Sequence, residues 1–91
     1  MEPLFNPKQA ADLSNLLAAV SAEDHLGSGY RNEADYWASQ VRPGLHASEV
    51  HHIALLLEDV AGSPWLSEPV QQWAKAWIAT IRELADVQGA V

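Results

Sequence analysis

Residues Glu68–Val87, EPVQQWAKAWIATIRELADV, decide the fold class of this chain. At 100° per residue, Val70, Trp73, Ala74, Trp77, Ile81, Leu84 and Ala85 gather on one side of a helical wheel. Gln71, Lys75, Arg82, Glu83 and Asp86 gather on the other. A helix divided in this way must lay its apolar side against other elements, and two tryptophans on that side supply a large area to bury. Its start is marked twice, by Ser63 with Pro64 behind it and by Ser67 with Pro69 behind it. A bend near Pro69 would reconcile the two. Trp65, beside Leu66 in this proline-flanked segment, is expected to staple the segment to the rest of the fold.

Upstream, the same helical period recurs three times. Asn6, followed by Pro7 and by Gln9 at the third helical position, resembles a capping box. The helix it opens carries Ala10, Leu13, Leu16, Leu17 and Val20 on one face, with Lys8, Asp12 and Asn15 opposite. Leu26 to Gly29 holds two glycines and a serine and reads as a connector. A second helix is expected from about Asn32 to Val41, with Glu33 and Asp35 in its first turn and Pro43-Gly44 as its stop. Its inward side would be Ala34, Trp37, Ala38 and Val41. Ser48 reads as the cap of a third helix with Val50, Ile53, Ala54, Leu57, Val60 and Ala61 on one stripe, Leu55 and Leu56 outside it, and Gly62 at its end. The pattern as a whole predicts an all-α fold: one domain, a compact antiparallel bundle of about four helices near 7–22, 32–42, 48–61 and 68–87. No strand-like alternation competes, and no repeat is evident along the chain.

A chain of 91 residues buries roughly 60–65% of the surface its unfolded form exposes. Apolar types make up 48% of the residues and charged types 19%, which suits a packed globule and excludes the disordered class. Five Lys and Arg against twelve Asp and Glu give a formal charge of −7. That charge would repel a phosphate backbone or an anionic membrane and would attract a basic protein surface. No cysteine is present, so thiol nucleophiles, thiolate metal sites and disulfides are excluded. The opening residues show no basic stretch leading into an apolar run, and no segment reaches the ~20 apolar residues of a membrane span. The expected location is the cytoplasm.

Catalytic signatures are missing. No serine lies in a Gly-x-Ser-x-Gly elbow, and Gly27-Ser28-Gly29 is too short to cradle a phosphate and is followed by no lysine. No cofactor is expected. Glu49 and His52, three apart on a helix, project to one side and can share a metal. The spacing resembles half of the di-iron motif of ferritin-like bundles, and a homodimer would supply the second pair. His46 or His51, with a carboxylate such as Asp59, would complete such a shell.

A second constellation is acidic and aromatic: Glu23, Asp24, Tyr30, Glu33, Asp35 and Tyr36 accompany Trp37 and one cation, Arg31. Aromatic side chains are common anchors at protein interfaces, and a surrounding negative field steers a basic partner towards them. Tyr36 falls away from the face that holds Trp37. In charge, size and helix content, though in no motif, the chain is similar to small acidic inhibitors of nucleases such as colicin-type immunity proteins. The leading expectation is therefore a non-enzymatic, protein-binding module with inhibitor or immunity-type action as one concrete form. The alternative is a metal- or small-ligand-binding bundle built on Glu49 and His52. A self-association role for the extra apolar width at Leu55 and Leu56 is the third reading.

Overall fold

A computed structural model describes residues 5–89, with side chains described for 5–84. The expectations for residues 1–4, and for Ala85 and Asp86 on opposite faces of the last helix, lie outside that description. Four helices follow one another: α1 (Pro7–Ser21), α2 (Ser28–Gln40), α3 (Ala47–Ala61) and α4 (Glu68–Gly89). No strand occurs among the described residues, and no helix there is long and apolar enough to cross a membrane. The helices form a bundle 40 Å long and about 20 Å across.

Helix α1 begins as its sequence dictates. The Asn6 side chain accepts from the Gln9 amide at 2.7 Å while the Gln9 side chain accepts from the Asn6 amide at 3.0 Å, so two otherwise unpaired donors are satisfied together. Its buried residues are Ala10, Leu13, Leu16, Leu17 and Val20.

Helix α2 differs from expectation. It starts at Ser28 rather than Asn32, with Gly27 as its cap, and ends at Gln40. The break falls earlier, at Asp24 to Leu26. Gly29 sits in the first helical turn, where backbone amides need no intrahelical acceptor and a weak helix former costs little. Glu33 and Asp35 consequently lie in mid-helix, and no acidic residue occupies the first turn. Helix α3 also starts one residue early, at Ala47, with His46 and not Ser48 in the capping position and no side-chain cap bond. Within it Leu56 is buried at 3% exposure, whereas Leu55 is exposed. Helix α4 uses the later of its two start signals. Ser63 to Leu66 forms a turn, and no second helical start appears there.

The chain contains a repeat that its sequence conceals. A shift of 40 positions, Leu17 to Leu57, aligns α1 and α2 with α3 and α4, yet between residues 5–41 and 45–81 it leaves only six identities: Leu16/Leu56, Leu17/Leu57, Val20/Val60, Leu26/Leu66, Ala34/Ala74 and Trp37/Trp77. The backbone states of residues 21–30 and 61–70 match position by position. The core follows the same shift. Phe5/Leu45, Ala10/Val50, Leu13/Ile53 and Leu16/Leu56 are buried in both copies, as are Leu17/Leu57, Val20/Val60, Leu26/Leu66 and Ala34/Ala74. The remaining buried residues, Ala61, Trp77 and Ile81, have half-buried counterparts in Ser21, Trp37 and Val41. The molecule is thus two copies of one helical hairpin, which corrects the expectation of a chain without repeats.

How the copies meet reveals their symmetry. Helix α1 packs on α4 and α2 on α3, whereas among the described residues the backbones of α1 and α3, and of α2 and α4, come no closer than 8 Å, Cα to Cα. A translational stack of hairpins would bring α1 against α3. Exchange about a two-fold axis instead maps the α1–α4 seam onto the α3–α2 seam, the self-complementary arrangement of a symmetric dimer. Side chains agree: Trp77 meets Asp12 across one seam, and their counterparts Trp37 and His52 stack across the other, with ring centroids 6.4 Å apart. The Ser67 hydroxyl donates to Glu23 at 2.6 Å, so the α1–α2 and α3–α4 turns lie at the same end of the bundle. The axis therefore runs along the helices. The copies diverge after Gln40 and its counterpart Thr80: Pro43 follows the first and stops α2, while no proline follows the second and α4 continues to Gly89.

Candidate functional site

Among the residues whose side chains are described, helix α2 is the least buried of the four, and Ala34 is its one fully buried residue. Trp37, Ala38 and Val41 are half-buried against the core, so the inward side is the one its sequence predicts. On the outward side lie Asn32, Glu33, Asp35, Tyr36 and Ser39, all exposed. Tyr36 is 56% exposed and meets Trp37 edge-on, with centroids 5.1 Å apart and planes at 76°. Half-buried Trp37 therefore gives the tyrosine ring a wall on one side while the residue stays more than half exposed. Asp35 borders a shallow groove of about 260 Å³ shared with Ser21, Ser28, Arg31 and Asn32. The Arg31 guanidinium donates to the Ser21 carbonyl at 3.1 Å, which ties this cation to the end of α1.

The fold separates the acidic and aromatic residues into two groups. Glu33, Asp35 and Tyr36 share the outward side of α2. Glu23 and Asp24 belong to the turn before it, where Glu23 is held by Ser67, and Tyr30, 42% exposed, sits in the first turn of α2 near that same end.

The histidine-containing group is placed otherwise than a metal shell requires. Glu49 faces Arg42 at 4.0 Å, and the His52 ring stacks on Trp37 with planes 13° apart. His51 lies 6.3 Å from His52, centroid to centroid, on a tilted plane. His46 occupies the helix cap position, and Asp59 is exposed near the far end of α3. Among the described residues no three His, Asp or Glu side chains come together in a way that could hold a metal ion. Glu58 of the same helix pairs with Arg82 of α4.

Two features escaped the sequence reading. Asp12, on the outer flank of α1, accepts from both indoles of α4, from Trp77 at 2.6 Å and Trp73 at 3.1 Å. One carboxylate thereby satisfies two large side chains that close the α1–α4 seam. The second is Trp65. It does not staple its segment to the bundle: it is 63% exposed, and Leu66 beside it is buried at 3%. The 40-residue shift carries the signal that could have found this, because Leu26 and Leu66 are identical whereas His25 and Trp65 differ. No family model matches this chain, and no curated protein or solved structure matches it either.

Proposed function

We propose that the chain is a non-enzymatic protein-binding module that docks a basic partner through the outward side of α2, with Tyr36 as the anchor and Glu33 and Asp35 beside it. The supporting observation is the exposure of Tyr36, 56%, next to a Trp37 wall on a helix with one fully buried residue. An aromatic ring held in place loses little freedom on binding, which is the usual property of an interface anchor. The net charge of −7 would speed the approach of a basic surface and make the association salt-dependent. Inhibition of a basic enzyme by covering its charged surface is one form such docking takes. A cytoplasmic setting belongs to the same reading, and a chain without cysteine is compatible with a reducing compartment.

The test is affinity capture from the native host with wild type and with the double variant Tyr36→Ala, Asp35→Lys. Both positions are exposed, so folding should be unaffected, as circular dichroism would verify. The expected result is one stoichiometric partner captured by wild type, weakened by salt and lost from the variant. Equal recovery by both proteins would remove the α2 face from consideration.

A further inference from the structure

The two hairpins serve as each other's control. A residue required by the hairpin fold should be matched at the position 40 away, as Leu26 is by Leu66. Trp65 is not: the same exposed turn position holds His25 in the first copy, and the turn has the same backbone form there. The fold therefore does not need an indole at this point, and leaving one in water forgoes the stabilisation its burial would bring. Its turn is nonetheless firmly built. The Trp65 amide donates to the Ser63 hydroxyl at 3.2 Å, and the Gln71 side-chain amide donates to the carbonyls of Ser63 and Leu66 at 2.8 and 2.9 Å. With Leu66 buried behind it, the indole projects from a braced platform.

The surroundings are acidic. Residues 21–31 and 61–71, which form this end of the bundle, carry Glu23, Asp24 and Glu68 against one arginine, and Arg31 is directed at the Ser21 carbonyl. An exposed indole at an end of the bundle that also carries three carboxylates suits a cation with a flat, weakly hydrated surface, and guanidinium fits that description better than ammonium.

We propose that Trp65 anchors an arginine-bearing basic segment of another protein at the turn end of the bundle, with one guanidinium lying on the indole and Glu23, Asp24 and Glu68 receiving neighbouring cations. This rests on the reading of the chain as a protein-binding module and adds to it a second contact, distinct from Tyr36. The turn end is where Tyr30 also stands, so a bound segment has a path from Trp65 towards α2.

The test is an NMR titration of the full ¹⁵N-labelled chain with a synthetic peptide of repeated Arg-Gly-Gly, and with its Lys-Gly-Gly counterpart. Wild type is compared with Trp65→His, a substitution that copies the other hairpin and so should keep the fold. The Arg peptide is expected to shift the Trp65 indole resonance, to bind wild type about two- to fivefold more tightly than Trp65→His, as one exposed cation–π contact would give, and to bind wild type more tightly than the Lys peptide does. Trp65→His should erase that preference. Equal binding by wild type and Trp65→His, or no movement of the Trp65 indole at any peptide concentration, would overturn the assignment of Trp65. Neither outcome would touch the α2 reading, which stands or falls on the Tyr36→Ala, Asp35→Lys capture experiment.

Discussion

Truncation of Leu17 to alanine should destabilise the protein by about 3 kcal/mol, and truncation of Leu57 should do the same, because large-to-small changes at fully buried leucines cost ~2–5 kcal/mol. Both side chains are 0% exposed, and they occupy the same position in the two hairpins. For a domain of this size that loss is a large part of a total near 5–13 kcal/mol, and it corresponds to a fall in melting temperature of about 12–24 °C. Urea denaturation of the two variants measures it directly, with the dependence on denaturant unchanged. The matched size of the two effects is the informative part. A bundle in which one hairpin formed the core and the other merely leaned on it would show one large loss and one small one.

The second large effect belongs to the α1–α4 seam. Trp77→Ala should cost about 4 kcal/mol, within the ~3–5 kcal/mol range for an aromatic removed from a core. The indole is only 6% exposed, packs edge-on against Phe5 with centroids 5.7 Å apart, and donates to Asp12. Trp77→Phe keeps most of the ring and loses the donor. It should cost about 1 kcal/mol, since the exposed Asp12 carboxylate can turn to water and still accept from Trp73. The symmetry mate Trp37 is half-buried and stacks on an exposed imidazole, so Trp37→Ala should cost less, about 2 kcal/mol. Thermal and urea unfolding of the three variants would establish the order. A reversal, with Trp37 mattering more than Trp77, would mean the seams are assigned the wrong way round.

Much of the fold was legible because helix α1 and the body of α4 obey a single rule, apolar residues at three and four apart, with the α1 cap at Asn6 and the α4 start at Glu68 where expected. Where the sequence misled, the physical causes differ. Gly27-Ser28-Gly29 looked like the centre of a connector, yet the break lies before it, because glycine is tolerated in the first turn of a helix, where amides have no helical partner. The stripe through Val50, Ile53, Leu57 and Val60 leaves Leu56 outside, and comparison with Asn15, Leu16 and Leu17 shows that Leu56 turns inward with Leu57 while Leu55 does not. The repeat itself was hidden because the six identities between residues 5–41 and 45–81 are all apolar, while the surface positions in that stretch have changed. Burial and apolar character of the core are kept between the copies, and the chemistry of the surface is not.

The candidate site was legible in part for the same reason. A helical wheel put Tyr36 outward and Trp37 inward, as the fold has them. It could not assign Trp65, since residues in a turn have no period, and size alone favoured burying tryptophan over leucine. Nor could it join Asp12 to α4: a wheel gives the direction of a side chain and says nothing about which long indole reaches around from the neighbouring helix. Glu49 and His52 illustrate the opposite error, a spacing that suits metal chemistry on an isolated helix whose members face Arg42 and Trp37 instead.

Three of the four tryptophans, Trp37, Trp73 and Trp77, pack into or against the core, whereas Trp65 stands exposed. Hydrogen exchange of the four indole N–H groups, followed in one set of ¹⁵N spectra, tests that division directly. The Trp77 proton should exchange most slowly, held by Asp12 and shielded by the core, while the Trp65 proton should exchange at nearly the rate of free tryptophan. A protected Trp65, or a Trp77 proton that exchanges as fast as Trp65, would contradict both the packing of the seams and the surface built on it.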